Sequence, residues 1–171
     1  MLASGLLVVV LLVASWTDVK SRRIPNWLTV AGMIAGLAVR AWMGPGALVD
    51  GALGVGLGLL LSAPFFAVGA LGGGDAKLLM AVGAFMGPAD LARASLVIAV
   101  VGGLIALLEA ARRGVLLPTL ASCGFLLLSW VTLGRRGRER VVVRGERLAI
   151  PYGVAIAAGS LLWWFAGGLT S

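Results

Sequence analysis

The sequence predicts an all-α integral membrane protein: a bundle of about six transmembrane helices, plus a cytoplasmic interfacial or re-entrant segment near 115–133. One polytopic domain over 1–171 accounts for the whole chain. Three observations lead there. Of 171 residues, 60% are hydrophobic and only 12% charged, and mean hydropathy is +1.05, more apolar surface than a soluble domain of this length can bury. The apolar residues fall into runs long enough to be helices, at 2–17, 27–43, 47–71, 76–88, 91–111, 115–133 and 149–169. The basic residues that give the net charge of +7 sit between these runs, where they mark cytoplasmic loops. Nucleic-acid binding would need them on one soluble face, so no nucleic-acid partner is expected.

A spanning helix needs about 20 residues, with about 17 as a lower limit. Run one and run four are therefore short. Run four crosses only if Gly83 and Gly87 let it pack tightly inside the bundle. Run three contains "GALGVGLG" at 51–58, small residues that permit close approach between membrane helices. Run one is read as a retained span and not a cleaved signal, because no Lys or Arg precedes Lys20.

Orientation follows from charge. Lys20, Arg22 and Arg23 follow run one and Lys77 follows run three. Arg112 and Arg113 follow run five, and six arginines lie between 135 and 147. If run six, "VLLPTLASCGFLLLSWVTL", re-enters or lies along the surface, these groups share one face and leave Arg40 and Arg93 on the other. That split satisfies the positive-inside rule. Six crossings with both termini outside is the expected topology, and a seventh crossing through run six is the alternative.

There is one cysteine, Cys123, and no histidine. A disulfide framework, a Cys/His zinc site and a Ser-His-Asp or Cys-His catalytic group are thereby excluded within the chain. No metal and no cofactor is expected. Chemistry must use carboxylates, Lys, Arg, hydroxyls or backbone.

The topology puts Asp18 at the cytoplasmic end of helix one and Asp75 at the cytoplasmic start of helix four, at about the same depth. Carboxylates near the hydrocarbon are costly and face a cavity or a partner. Two of them close together share a proton, the arrangement that aspartic peptidase chemistry needs. The preceding Gly72, Gly73 and Gly74 have two readings. They form backbone, free to take positive φ, against which an extended peptide lies, or they are a turn with Asp75 as the helix N-cap.

Lys77 either meets a negative charge of the substrate or reaches an interface as a snorkelling lysine. Asn26 either bonds the peptide or caps helix two, and its place before an apolar run favours the cap. Lys20, Arg22 and Arg23 are read as orientation signals. Asp50 and Asp90 are read as caps at the outer ends of helices three and five, and Glu109 as a partner of Arg112 or Arg113. Pro151 and Gly153 open the last helix and either shape the site or are an ordinary helix start, where Pro is common. Five of the six tryptophans fit interfacial anchoring.

These residues resemble a known family. "GGGDAKLL" at 72–79 looks like the GxGD signature of membrane aspartic peptidases in its type IV prepilin peptidase form. "TDVKSRRIPNWLT" at 17–29 is similar to that family's aspartate followed by Ile-Pro-Asn, and "IPYGVAIAAG" at 150–159 resembles its Pro-(Tyr/Phe)-Gly opening of the last helix. The resemblance implies that Asp18 and Asp75 are the catalytic pair, and that the chain cleaves leaders from prepilin-like proteins on the cytoplasmic side of the inner membrane. Large bacterial members carry an N-terminal cytosolic domain with paired Cys-x-x-Cys motifs associated with N-methylation. This sequence has no such module, so methyltransferase activity is not carried over. The short form looks most like the peptidases of tight-adherence (Flp-type) pilus systems, and archaeal preflagellin peptidases are similar in size. A small proton-coupled carrier using the same aspartates is the competing function, and a noncatalytic membrane scaffold is a third. The Gly-rich loop, the Ile-Pro-Asn triplet and the lack of an internal repeat favour the peptidase. Oligomeric state is not legible.

Overall fold

In a computed structural model, residues 2–67, 69, 71–114 and 152–167 are described, and every regular element among them is a helix. In chain order these are α1 (Leu2–Ser21), α2 (Asn26–Met43), α3 (Pro45–Ala67), α4 (Gly73–Met86), α5 (Pro88–Arg112) and α6 (Tyr152–Gly167). The expected re-entrant segment near 115–133, the arginine cluster between 135 and 147, Trp130 and Pro151 lie outside the described residues. The chain divides into two compact units, Met1–Gly102 with Pro151–Ser171, and Gly103–Ile150. In the second, the described part is the end of α5, where Arg113 Nε donates to Glu109 Oε1 at 2.7 Å, the expected i,i+4 pair. Everything below concerns the first.

Among the described residues, three helices are long and apolar enough to cross a membrane: Ala3–Ser21 within α1, then α3 and α5. The first helix is longer than its apolar run. It passes through Thr17, Asp18 and Lys20, and the hydroxyls along this stretch are satisfied by the preceding turn: Ser15 donates to Leu11 O (2.8 Å), Thr17 to Val13 O (3.0 Å) and Ser21 to Thr17 O (2.7 Å). It stops where Arg22 takes a left-handed φ of 51°. The third helix ends four residues before its run, at a turn built on Gly69, whose φ is +72°. Large apolar side chains face outward on these helices, including Leu6, Val9, Leu12, Trp16 and Val19 on α1 and Leu96 and Val100 on α5. An outer surface this apolar is suited to lipid, and the protein is an all-α membrane protein.

The packing centres on α4. Its 14 residues rise only about 21 Å, so it cannot match the hydrocarbon thickness alone. From Leu78 to Met86 all but Met80 are buried. Gly51, Gly54, Gly58 and Ser62 form the buried stripe of α3, and it lies directly on the α4 backbone. A Cβ on Gly54 would run into Gly83 O, and one on Gly58 would lie 2.8 Å from Met80 Cα. On the other side Gly36 of α2 meets Ala84. Gly83 thus has the packing role expected of it, whereas Gly87 ends the helix at φ +79°, with Pro88 opening α5 directly after.

Helices α2, α3 and α4 are tied together at the end of α4. Arg40 Nε donates to Phe85 O at 3.0 Å, a carbonyl that the end of α4 leaves open, and its Nη1 reaches Ala47 O in the first turn of α3 at 3.5 Å. Asp50 is not a helix cap: it lies in the second turn of α3, exposed, 3.9 Å from Arg40. Asp90 sits in the first turn of α5, 3.5 Å from Arg93, whose guanidinium stands 5.9 Å from the centre of the Trp163 ring of α6.

The backbone contact predicts opposite outcomes for two neighbouring glycines. Gly54→Ala should lower the melting temperature of the detergent-solubilised protein, at a cost of about 1–3 kcal/mol for overpacking. Gly56→Ala, with open space around its Cα, should be neutral or stabilise by up to about 1 kcal/mol from helix propensity. Equal melting temperatures would contradict the packing.

Candidate active site

Leu7, Leu11, Ala14 and Asp18 recur at helical spacing on the buried face of α1, and Asp18 is only 6% exposed. A carboxylate there needs a partner. It finds one in the first turn of α6, where the Gly153 N–H donates to Asp18 Oδ2 at 2.8 Å.

Asp75 is the third residue of α4, half-buried, with Gly72 as the N-cap. Its Oδ2 accepts from the Gly72 N–H at 3.2 Å. This is the returning half of a capping box; glycine has no side chain to supply the other half. Asp75 is therefore not the N-cap itself. Nor do Gly72, Gly73 and Gly74 use positive φ: Gly72 is extended at φ −73°, ψ 152°, and Gly73 and Gly74 already belong to the helix. Lack of a side chain matters instead. A Cβ on Gly72 would lie 2.9 Å from Asp75 Oδ2, and one on Gly74 would lie 3.0 Å from Ile24 Cβ.

Ile24 joins the two halves of the site. Buried between α1 and α2 at 8% exposure, it abuts Gly74 on one side. Its Cδ1 would lie 3.0 Å from a Cβ on Gly153 on the other. The starts of α4 and α6 and the end of α1 thus converge on one side chain, and Asp75 lies within electrostatic reach of Asp18.

Asn26 does not cap α2. The N-cap is Pro25, with no side-chain cap bond, and the Asn26 amide is engaged by α4 instead. There Lys77 Nζ donates to Asn26 Oδ1 at 2.9 Å, at an exposed position. Two of the candidate substrate residues therefore hold each other, while Gly72 and Gly73 are exposed beside them. Lys20, Arg22 and Arg23 are exposed on the same side, flanked by the exposed rings of Trp16 and Trp27.

Sequence reasoning missed Ile24 and the bond from Gly153 to Asp18. The Ile-Pro-Asn and Pro-Tyr-Gly triplets carried the signal, but it takes the fold to bring them together.

A family model described as the type IV leader peptidase family matches residues 5–107. No curated protein and no solved structure matches the chain. The match covers well over half the chain and runs from α1 into α5, taking in both aspartates and the glycine-rich segment between α3 and α4. With a helical membrane fold carrying it, the chain belongs to the type IV leader peptidase family.

Proposed function

We propose that the protein is a membrane-embedded aspartic endopeptidase that removes the leader peptide from prepilin-like proteins at the cytoplasmic face of the inner membrane. Asp18 and Asp75 would act on a bound water. The observation that carries this reading is the convergence of the α1 end and the α4 start on Ile24, with a carboxylate on each, in a chain of this family.

In this mechanism one carboxylate, as base, takes a proton from the water as its oxygen attacks the amide carbon. The other, protonated, hydrogen-bonds the carbonyl oxygen and stabilises the charge that develops there. The C–N bond then breaks, and the leaving amine takes a proton from the dyad. No metal or other cofactor is required. The exposed backbone of Gly72 and Gly73 offers N–H and C=O groups to an extended peptide. Beside it, Lys77 and Asn26 offer a cation and an amide for the peptide's polar groups.

The charge distribution supports a cytoplasmic site. Lys20, Arg22, Arg23 and Lys77 stand at the aspartate end of the bundle, and Arg40 and Arg93 belong to the other. That is the asymmetry that retains a face inside.

Asp18→Asn and Asp75→Asn should each lower cleavage of a co-expressed prepilin-like protein by roughly 10³-fold or more, the scale of a lost acid–base group. Both should leave the protein folded in membranes. If both variants still process leader, the dyad is wrong. Substrate-dependent proton movement in liposomes without peptide would favour the carrier.

Chelation provides a separate check. EDTA or 1,10-phenanthroline should leave the rate of the purified enzyme unchanged, and strong inhibition by either would contradict metal-free hydrolysis.

A further inference from the structure

The start of α6 lies beyond the matched residues and takes no part in the proposed chemistry, yet its backbone holds one of the two carboxylates. The Gly153 N–H reaches Asp18 Oδ2 at 2.8 Å in a buried setting. A Cβ on Gly153 would lie 2.8 Å from that oxygen, 3.1 Å from Asp18 Cβ and 3.0 Å from Ile24 Cδ1. We infer that Gly153 is a positioning residue for the hydrolytic site: its N–H fixes Asp18 Oδ2, and its bare Cα leaves the space that the Asp18 side chain occupies.

The surroundings explain why this contact sets the geometry. Asp18 has little room to retreat, because it is buried on α1 in line with Leu11 and Ala14, both with no exposure. Ile24 is braced as well, since its Cβ and carbonyl oxygen back onto Gly74, the residue before Asp75. A methyl group at 153 therefore pushes Asp18 directly and Asp75 through Ile24 and Gly74. Small displacements of a reacting group are expensive: about 1 Å of misplacement costs on the order of 10²-fold in rate.

This inference rests on the Asp18/Asp75 reading, and its test separates the two. The full chain, purified in detergent, is assayed with a prepilin-like precursor carrying a Gly-ending leader. Gly153→Ala should lower kcat on the order of 10²-fold while KM stays within about threefold, the signature of an effect on the chemical step. Gly159→Ala is the packing control on the same helix. Its Cβ would meet Ile98 Cα at 2.6 Å, on a contact that excludes Asp18, so it should lower the melting temperature and keep kcat.

If Gly153→Ala does not fold, the double variant with Ile24→Val removes the Cδ1 contact and keeps the one to Oδ2, and it should still lose kcat. Wild-type kcat in either form, or loss of kcat in proportion to melting temperature across the two alanine variants, overturns the inference. Asp18→Asn is run beside them. If it cleaves normally, the dyad reading fails; if it is inactive while Gly153→Ala is normal, only the positioning role fails.

Discussion

Backbone contact between α3 and α4 is the constraint on which the rest of the bundle depends. A 14-residue helix with a carboxylate in its first turn cannot stand in lipid alone: too short to span, it would leave terminal backbone groups in hydrocarbon. Enclosure by protein removes both problems. Gly54 and Gly83 allow it by bringing the two backbones together with nothing between them, and α2 closes a second side at Gly36. The helix is then walled by its neighbours along its apolar length, and its ends are left to polar groups.

Those ends are satisfied in the sense that the helix dipole demands. At the N-terminus, where partial positive charge accumulates, stands the Asp75 carboxylate, bonded to the Gly72 N–H. At the C-terminus, where partial negative charge accumulates, stands the Arg40 guanidinium, donating to Phe85 O. An anion at one end and a cation at the other each contribute roughly 0.3–1 kcal/mol on an exposed helix, and up to about 2 when partly buried. A second helix repeats the logic at its own start: the first turn of α6 donates to Asp18. Both aspartates therefore have a structural reason to be where they are, and the same contacts that make them tolerable in a membrane also hold them still.

The sequence made the large pattern plain because membrane helices announce themselves by composition. Run lengths, the glycine stripe of α3 and the two aspartates at one end all followed from local information. Helix ends did not. At Asp18 the apolar run stops but the helix goes on to Ser21, and the carboxylate finds its donor in the first turn of α6, a partner that hydropathy ignores. Asn26 is already the first residue of α2, with its amide bonded to a lysine 51 residues away, and Asp50 falls inside α3 because that helix starts at Pro45. Ile24 was invisible for a different reason. It is an ordinary apolar residue in a connection, and its place between Gly74 and Gly153 depends on three segments meeting. Contacts between segments distant in sequence cannot be read from one segment's pattern.

Burial around the two carboxylates bears on how a peptide would reach them. Asp18 is covered by α1, Ile24 and α6, whereas Asp75 is half-buried beside Gly72 and Gly73, which are exposed. In the proposed mechanism water and peptide therefore approach from the α4 side, across the glycines, and meet Asp75 before Asp18. Any side chain at 72 or 74 would narrow that approach, since one would press on the Asp75 carboxylate and the other on Ile24. In that mechanism the exposed Gly72 and Gly73 would leave room for an extended chain, while Gly74 lets Ile24 pack against the start of α4. Lys77, bonded to Asn26 at 2.9 Å, ties the start of α4 to the start of α2.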